Sequence, residues 1–253
     1  MNLPICKLCL TNKADKMNSH IIPKFLCKGI FAEIPHRHTL RFVKGEKERK
    51  AQDSIKEDNI LCTNCEKRIE VIETYFGRFF KEWENFTAFP EQYTLLDKNL
   101  LLCTKVHPIL FKLFIYTIIW RLAISHSKEF KNYKISEKVV ENIRDFLNAG
   151  LKNNKPQLLN SFEDLSTPLF HFCIIKPKLP ENILLTAYNI NNSVHLTIIN
   201  AFGIIFFSDE NLNNNVFVEV SNVQNKQVLI SIGDNEIWQS FNQKIFQTFS
   251  DSQ

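Results

Sequence analysis

Two Cys-x-x-Cys pairs, Cys6-Lys-Leu-Cys9 and Cys62-Thr-Asn-Cys65, constrain this chain more than anything else in its sequence. Each pair offers two thiolates from one tight turn, and two such pairs close a tetrahedral four-sulfur site for a structural Zn²⁺. Between them stands Ser19-His20-Ile-Ile-Pro23, a His in a short apolar run that ends in Pro. The second pair is preceded by Asn59-Ile-Leu and followed at once by Glu66 and a helical pattern. This order predicts a zinc treble clef: knuckle, hairpin, then a helix starting at the metal. The pairs are further apart than in a compact zinc ribbon, so an insertion carrying His20 lies between them.

The remaining cysteines fit a reducing compartment. Of seven in the chain, Cys27, Cys103 and Cys173 are scattered among apolar residues, where a free Cys acts as a small core side chain. The first residues lack a basic segment followed by an apolar stretch, so a cytoplasmic location is expected. Charge is unevenly spread. Every Arg lies in residues 1–150, whereas 151–253 holds more Asp and Glu than Lys. A basic front and an acidic back fit an anionic partner at the N-terminal end, and ordinary solvated surface accounts for the charge equally well.

Along the chain, residues 1–90 read as the zinc-binding unit, 91–160 as a helical region and 161–253 as a β-rich region. Lys24–Phe31 suits a helical turn, Thr39–Val43 alternates as a half-buried strand, and the charged run Lys44–Asp58 reads as a loop or hairpin tip. The helix beginning near Cys65 carries an apolar stripe: Ile69, Ile72, Phe76, Phe79, Phe80 and Trp83. Glu66, Glu70 and Glu73 stack on its edge at a cost of about 0.2–0.5 kcal/mol per like-charged pair. Salt bridges or solvent account for them plainly; a bound cation is the alternative.

Pro108–Ser125 is the most hydrophobic stretch, but a membrane span needs about 20 mostly apolar residues and Lys112 and Arg121 interrupt this one. It predicts a buried central helix with a polar edge. A further helix runs from Ser136 as N-cap to Gly150 at C′. After a loop at 151–167 come short β-like runs at 169–175, 183–188, 194–199, 203–207, 216–220 and 228–232, separated by polar turns and expected to form an antiparallel sheet. Asp234 or Asn235 caps a terminal amphipathic helix. The expected class is α+β.

Ser19-His20-Ile-Ile-Pro23 followed by Asn59-Ile-Leu-Cys62-x-x-Cys65 resembles the HNH, or His-Me finger, endonucleases of the zinc-containing, treble-clef kind. The resemblance implies that His20 is the general base that activates water and that Asn59 orients it through a backbone contact. It places Glu66 where the family has a helix-borne His or Asn ligand, and Ser19 where many members have Asp. A hydroxyl is a poor Mg²⁺ ligand beside a carboxylate, so Glu66, Glu70 or Glu73 would have to supply the anionic oxygen for a catalytic Mg²⁺ or Mn²⁺. Over most of its length the chain also resembles a bacterial family of HNH-like proteins with Cys-x-x-Cys, Ser-His-Ile-x-Pro, Cys-x-x-Cys-Glu and a Trp-Arg pair, here Trp120-Arg121.

Two functions follow. One is a metal-dependent HNH endonuclease acting on DNA, in defence against foreign DNA or in mobile-element biology, with Lys24, Lys28, Arg37 and Arg41 on phosphates. The other is a zinc-stabilised binding module without catalysis, for which Ser19 argues. A protein partner or a homo-oligomer is compatible with either. His36 and His38 read as a solvated loop, with ligand or phosphate contact the alternative. His107, His126, His171 and His195 read as structural.

Overall fold

The computed structural model describes residues 3–31, 39–41, 43, 46–47, 49–83, 86–162, 165, 170–177, 184–200, 202–209, 220–222 and 227–233. The fold is α+β. At the N-terminal end, strand β1 (Ser19–His20) leads through Pro23 into a 3-10 helix (Lys24–Phe31) and then a ribbon of β2 (Thr39–Arg41) with β3 (Arg49–Ala51). Strand β4 (Lys56–Glu57) returns antiparallel to β1, with Ser19 opposite Glu57 and His20 opposite Lys56. The charged run therefore holds two short strands, β3 and β4, rather than loop alone. The second Cys pair follows, and helix α1 (Thr63–Trp83) starts within it.

Of the predicted stripe of α1, Ile69, Ile72, Phe76, Phe79 and Phe80 are all buried, and the side chain of Trp83 lies outside the described residues. Helix α2 (Pro108–Ile124) is apolar on every side, as a helix surrounded by protein must be, and residues Leu110 through Leu122 are all buried. It has no polar edge. Lys112 and Arg121 are each only 1 % exposed, and burial lowers the Lys112 pKa to about 8. Helix α3 (Glu137–Gly150) begins after Ser136, as its sequence predicts. Gly150 is its last residue and not a left-handed terminator: a Cβ there would come within 2.6 Å of Leu113 on α2. Close approach of two helices explains this glycine. Short helix α4 (Lys155–Asn160) occupies the stretch expected to be a loop.

Seven strands form one sheet: β5 (Tyr93–Asp97), β6 (Leu100–Cys103), β7 (His171–Pro177), β8 (Leu184–Asn189), β9 (Val194–Asn200), β10 (Phe202–Phe207) and β11 (Val228–Gly233), in the order β5-β6-β11-β7-β10-β9-β8. Two features depart from expectation. The sheet is mixed, because β11 lies parallel to β7, with Ser231 opposite Ile175. It also recruits the hairpin β5–β6 from the region read as helical, and β6 pairs antiparallel with β11. The 216–219 part of one expected strand and the whole expected terminal helix lie outside the described residues.

Alternation on the central strands separates two apolar faces. Phe172, Ile174, Ile204 and Phe206 join a connected core that runs from Cys6 to Ile232 and encloses α2. Cys173, Ile175, Ile205 and Phe207 join a second cluster with Leu196 and Ile198. The N-terminal unit is locked to the core by aromatic rings: Phe25 lies 6.2 Å from Phe80 and 6.0 Å from Phe114, and Phe80 lies 5.3 Å from Phe202. Among the described residues no helix is long and apolar enough to cross a membrane.

Candidate metal centre and an acidic cleft

The four knuckle cysteines converge. Their Sγ atoms all lie within 4.8 Å of one another, and Cys9 and Cys62 are 4.0 Å apart. A tetrahedron with Zn–S arms of about 2.3 Å has edges of about 3.8 Å, so the spacing suits a metal ion at the centre. The main chain builds this geometry. Leu10 adopts a left-handed backbone (φ 56°) and its N–H returns to the Cys6 carbonyl, closing the first turn. Lys7 N–H donates to Ile60 O, Lys16 N–H to Leu61 O and Asn59 N–H to Lys16 O, which straps the two knuckles together. Asp15 accepts from Thr63 N–H at 2.7 Å, satisfying an orphan donor in the first turn of α1.

The donor set has the chemistry of a closed thiolate site. Cys62 Sγ accepts from Cys65 N–H at 3.4 Å and from Asn12 Nδ2 at 3.7 Å, and Cys65 Sγ accepts from Arg68 Nη1 at 3.9 Å. A hydrogen bond from Cys65 holds the Cys6 thiol down to about 4, and the same bond pushes Cys65 upward. Four sulfurs this close cannot all ionise without a cation between them; with one, they can. The group can therefore hold a metal ion of the structural zinc kind, with no open coordination position for catalysis.

His20 lies on the β1–β4 ribbon. Its Nε2 is 3.8 Å from Asp53 Oδ1, and Asp53 is itself 2.6 Å from Lys56 Nζ. Burial chiefly, then the positive charge of Lys56, lowers the His20 pKa; Asp53 opposes the shift, and Arg121 and Lys24 add to it. The surroundings thus favour the neutral imidazole. Asp53 also helps to line a cleft of about 710 Å³ whose walls include Lys24, Phe25, Glu70, Glu73 and Thr74. Nothing in the sequence marks Asp53, which sits in a run of mixed charge that reads as a loop or hairpin tip.

The expected ligand residues do not share one role. Ser19 Oγ donates to Glu66 Oε2 at 2.9 Å, so the hydroxyl that stands in the Asp position is tied to the first turn of α1. Glu73 is occupied by an ion pair with Arg121 at 2.6 Å. Glu70 is exposed along the cleft. Among the described residues, the four cysteines are the one group of three or more potential ligands gathered within ligating distance. Asn59 has a left-handed backbone (φ 58°), and its side-chain Oδ1 is buried without a hydrogen-bond partner among the described residues.

The expected phosphate contacts are similarly divided. Lys24 faces the cleft, whereas Arg41 is paired with Glu129. Arg37, His36, His38 and the side chain of Lys28 lie outside the described residues. Of the other histidines, His107 caps α2 by accepting from Ile109 N–H at 3.3 Å, and His171 bonds Ser221 Oγ at 2.9 Å. His126 sits 3.4 Å from Glu57. Buried His195 lies between Asn189 Oδ1 at 2.9 Å and Ser208 Oγ at 3.0 Å. That chain has the connectivity of a Ser-His-Asn triad, but the ring is fully enclosed and burial lowers its pKa to about 4, which removes the basicity such chemistry needs.

The fold and this centre define an α+β protein with a candidate four-cysteine metal site and an acidic cleft lined by Asp53, Glu70 and Glu73. No family model, curated protein or solved structure matches the chain.

Proposed function

We propose that this chain is a metal-dependent endonuclease of HNH type, with the four-cysteine centre stabilising a treble clef and His20 acting on DNA phosphodiesters. One observation carries the reading: His20 sits on a two-stranded ribbon that runs directly into α1, and Ser19 Oγ bonds Glu66 in the first turn of that helix. Ser19 Oγ thereby ties the strand that carries His20 to the helix that carries Glu70 and Glu73, and Asp53, 3.8 Å from the His20 ring, lines the same cleft as those two carboxylates. Because its pKa is lowered, His20 is free at neutral pH to take a proton from the attacking water. Asp53 at 3.8 Å then faces the imidazolium that forms and stabilises it.

Mg²⁺ needs only one or two carboxylates and keeps several waters. Glu73 is taken by Arg121, so Glu70 and Glu66 are the carboxylates left to hold it. Such an ion supplies charge neutralisation at the scissile phosphate and the leaving oxygen. Lys24, in the cleft wall, is the candidate phosphate contact.

A second reading, a zinc-stabilised module that binds nucleic acid or protein without catalysis, is favoured by the engagement of Ser19 with Glu66 and of Glu73 with Arg121. Plasmid cleavage with Mg²⁺, Mn²⁺ or EDTA, run beside His20→Ala, separates the two. Metal-dependent nicking that disappears in the variant supports the nuclease. Two inert proteins that still shift DNA in a salt-sensitive manner support the binding module.

A further inference from the structure

Arg121 lies in the middle of an apolar helix and is 1 % exposed. A guanidinium in such a place must be fully engaged, since an unpaired buried charge costs several kcal/mol. Its Nε donates to Thr117 O at 3.0 Å within α2. Its Nη2 pairs with Glu73 Oε1 on α1 at 2.6 Å. The remaining arm, Nη1, donates to the main-chain carbonyl of His20 at 2.8 Å. One rigid planar group thus joins two helices to the strand residue that carries the imidazole. Asn59, for which the HNH resemblance implies the backbone contact with His20, instead holds a left-handed turn just before the second knuckle.

We infer that Arg121 is the positioning residue of His20, fixing the backbone from which the imidazole projects, with Glu73 as the anchor that aims the guanidinium. The inference rests on the nuclease reading for what His20 does, but the contact itself does not. Arg suits the task better than Lys. Its planar fork reaches the carbonyl and the carboxylate at once with little further loss of entropy, whereas an ammonium on a flexible stem would satisfy one and release the other. Glu73 is thereby a poor cation ligand: recruiting it would strip the guanidinium of its counter-charge.

The test uses the full chain with Arg121→Met and Arg121→Lys, each read for bound zinc, for plasmid cleavage with Mn²⁺, and for the ¹⁵N–¹H ring signals of His20, identified by their loss in His20→Ala. Misplacement of a reacting group by about 1 Å costs roughly 100-fold in rate, so kcat is expected to fall about that far in Arg121→Met with KM little changed and zinc retained. Arg121→Lys recovers part of the loss. The His20 ring signals move, while those of His126 and His171, which Arg121 does not touch, stay in place; a merely structural role would disturb all three. Asn59→Gly, which preserves the left-handed turn, is expected to lose less activity than Arg121→Met.

Wild-type cleavage that survives Arg121→Met within about twofold overturns the inference, as does an unmoved His20 signal. If the wild type cleaves nothing with any metal, the nuclease reading fails by itself, and the ring signals still decide the role of Arg121. Should Arg121→Met fail to fold, Arg121→Lys carries the same readouts.

Discussion

Replacing Glu73 alone should harm this protein more than replacing Glu73 and Arg121 together. The guanidinium is 2 % exposed and the carboxylate 19 %, and burial pushes the Glu73 pKa up while Arg121 pulls it down. Glu73→Leu leaves a buried cation that cannot lose its proton, and breaking such a pair from one side costs about 3–5 kcal/mol. Arg121→Met leaves a carboxyl group at the edge of the cleft that can neutralise itself by taking up a proton. Its main residual cost is the orphaned His20 carbonyl, about 1–3 kcal/mol. In Glu73→Leu/Arg121→Met no charge is stranded, so that carbonyl is the principal defect left. The double variant should be more stable than Glu73→Leu by about 2 kcal/mol. Urea unfolding reads this as a higher midpoint at an unchanged slope. Losses that add across the two single variants would show that the groups do not act as a pair, and the reasoning would fail. The double variant should nevertheless lack cleavage activity, because His20 has lost its support.

Other outcomes follow from the same structure. His195 is neutral in the fold with its pKa lowered to about 4, against about 6.5 when unfolded. Between these values the unfolded chain binds more protons, so stability present in full above about pH 6.5 should decline by up to about 3 kcal/mol towards pH 4. An unchanged slope of stability against pH in His195→Gln would refute that source. Cobalt substitution should give one metal per chain with thiolate-to-metal charge-transfer bands, abolished in Cys65→Ser; a metal-loaded protein without those bands would exclude the four-cysteine site. Gly150→Ala should fall short of the gain of about 1 kcal/mol that helix propensity alone gives, since its Cβ would lie 2.6 Å from a Leu113 methyl that must shift within the helix contact. A variant stabilised by the full propensity difference in urea unfolding would refute the packing argument.

The parts of this structure that could be read from sequence are those in which the signal and its cause are neighbours. Cys6 with Cys9, Cys62 with Cys65, the stripe from Ile69 to Phe80 and the start of α3 after Ser136 all depend on residues within a few positions of one another. The hairpin β5–β6 escaped because Leu100-Leu-Leu-Cys103 does not alternate and its partner strand, Val228–Gly233, lies far along the chain. The parallel pairing of β11 with β7 escaped for the same reason: close strand spacing predicts antiparallel neighbours, and β11 arrives between β6 and β7 only after a long excursion. Within the candidate site the same division holds. His20 and the cysteines announce themselves by local motif, whereas Asp53 and Arg121 acquire meaning from contacts that sequence does not display; Arg121 reaches His20 across 101 positions. Yet Arg121 did carry a signal of its own. A permanently charged side chain amid Ile118, Ile119, Trp120, Leu122 and Ala123 can be retained in a buried helix only if something elsewhere in the chain neutralises it and accepts its remaining hydrogen bonds. An isolated Arg in an apolar helix therefore predicts a distant acid and a distant carbonyl, and here those are Glu73 and the backbone of the residue on which the proposed chemistry depends.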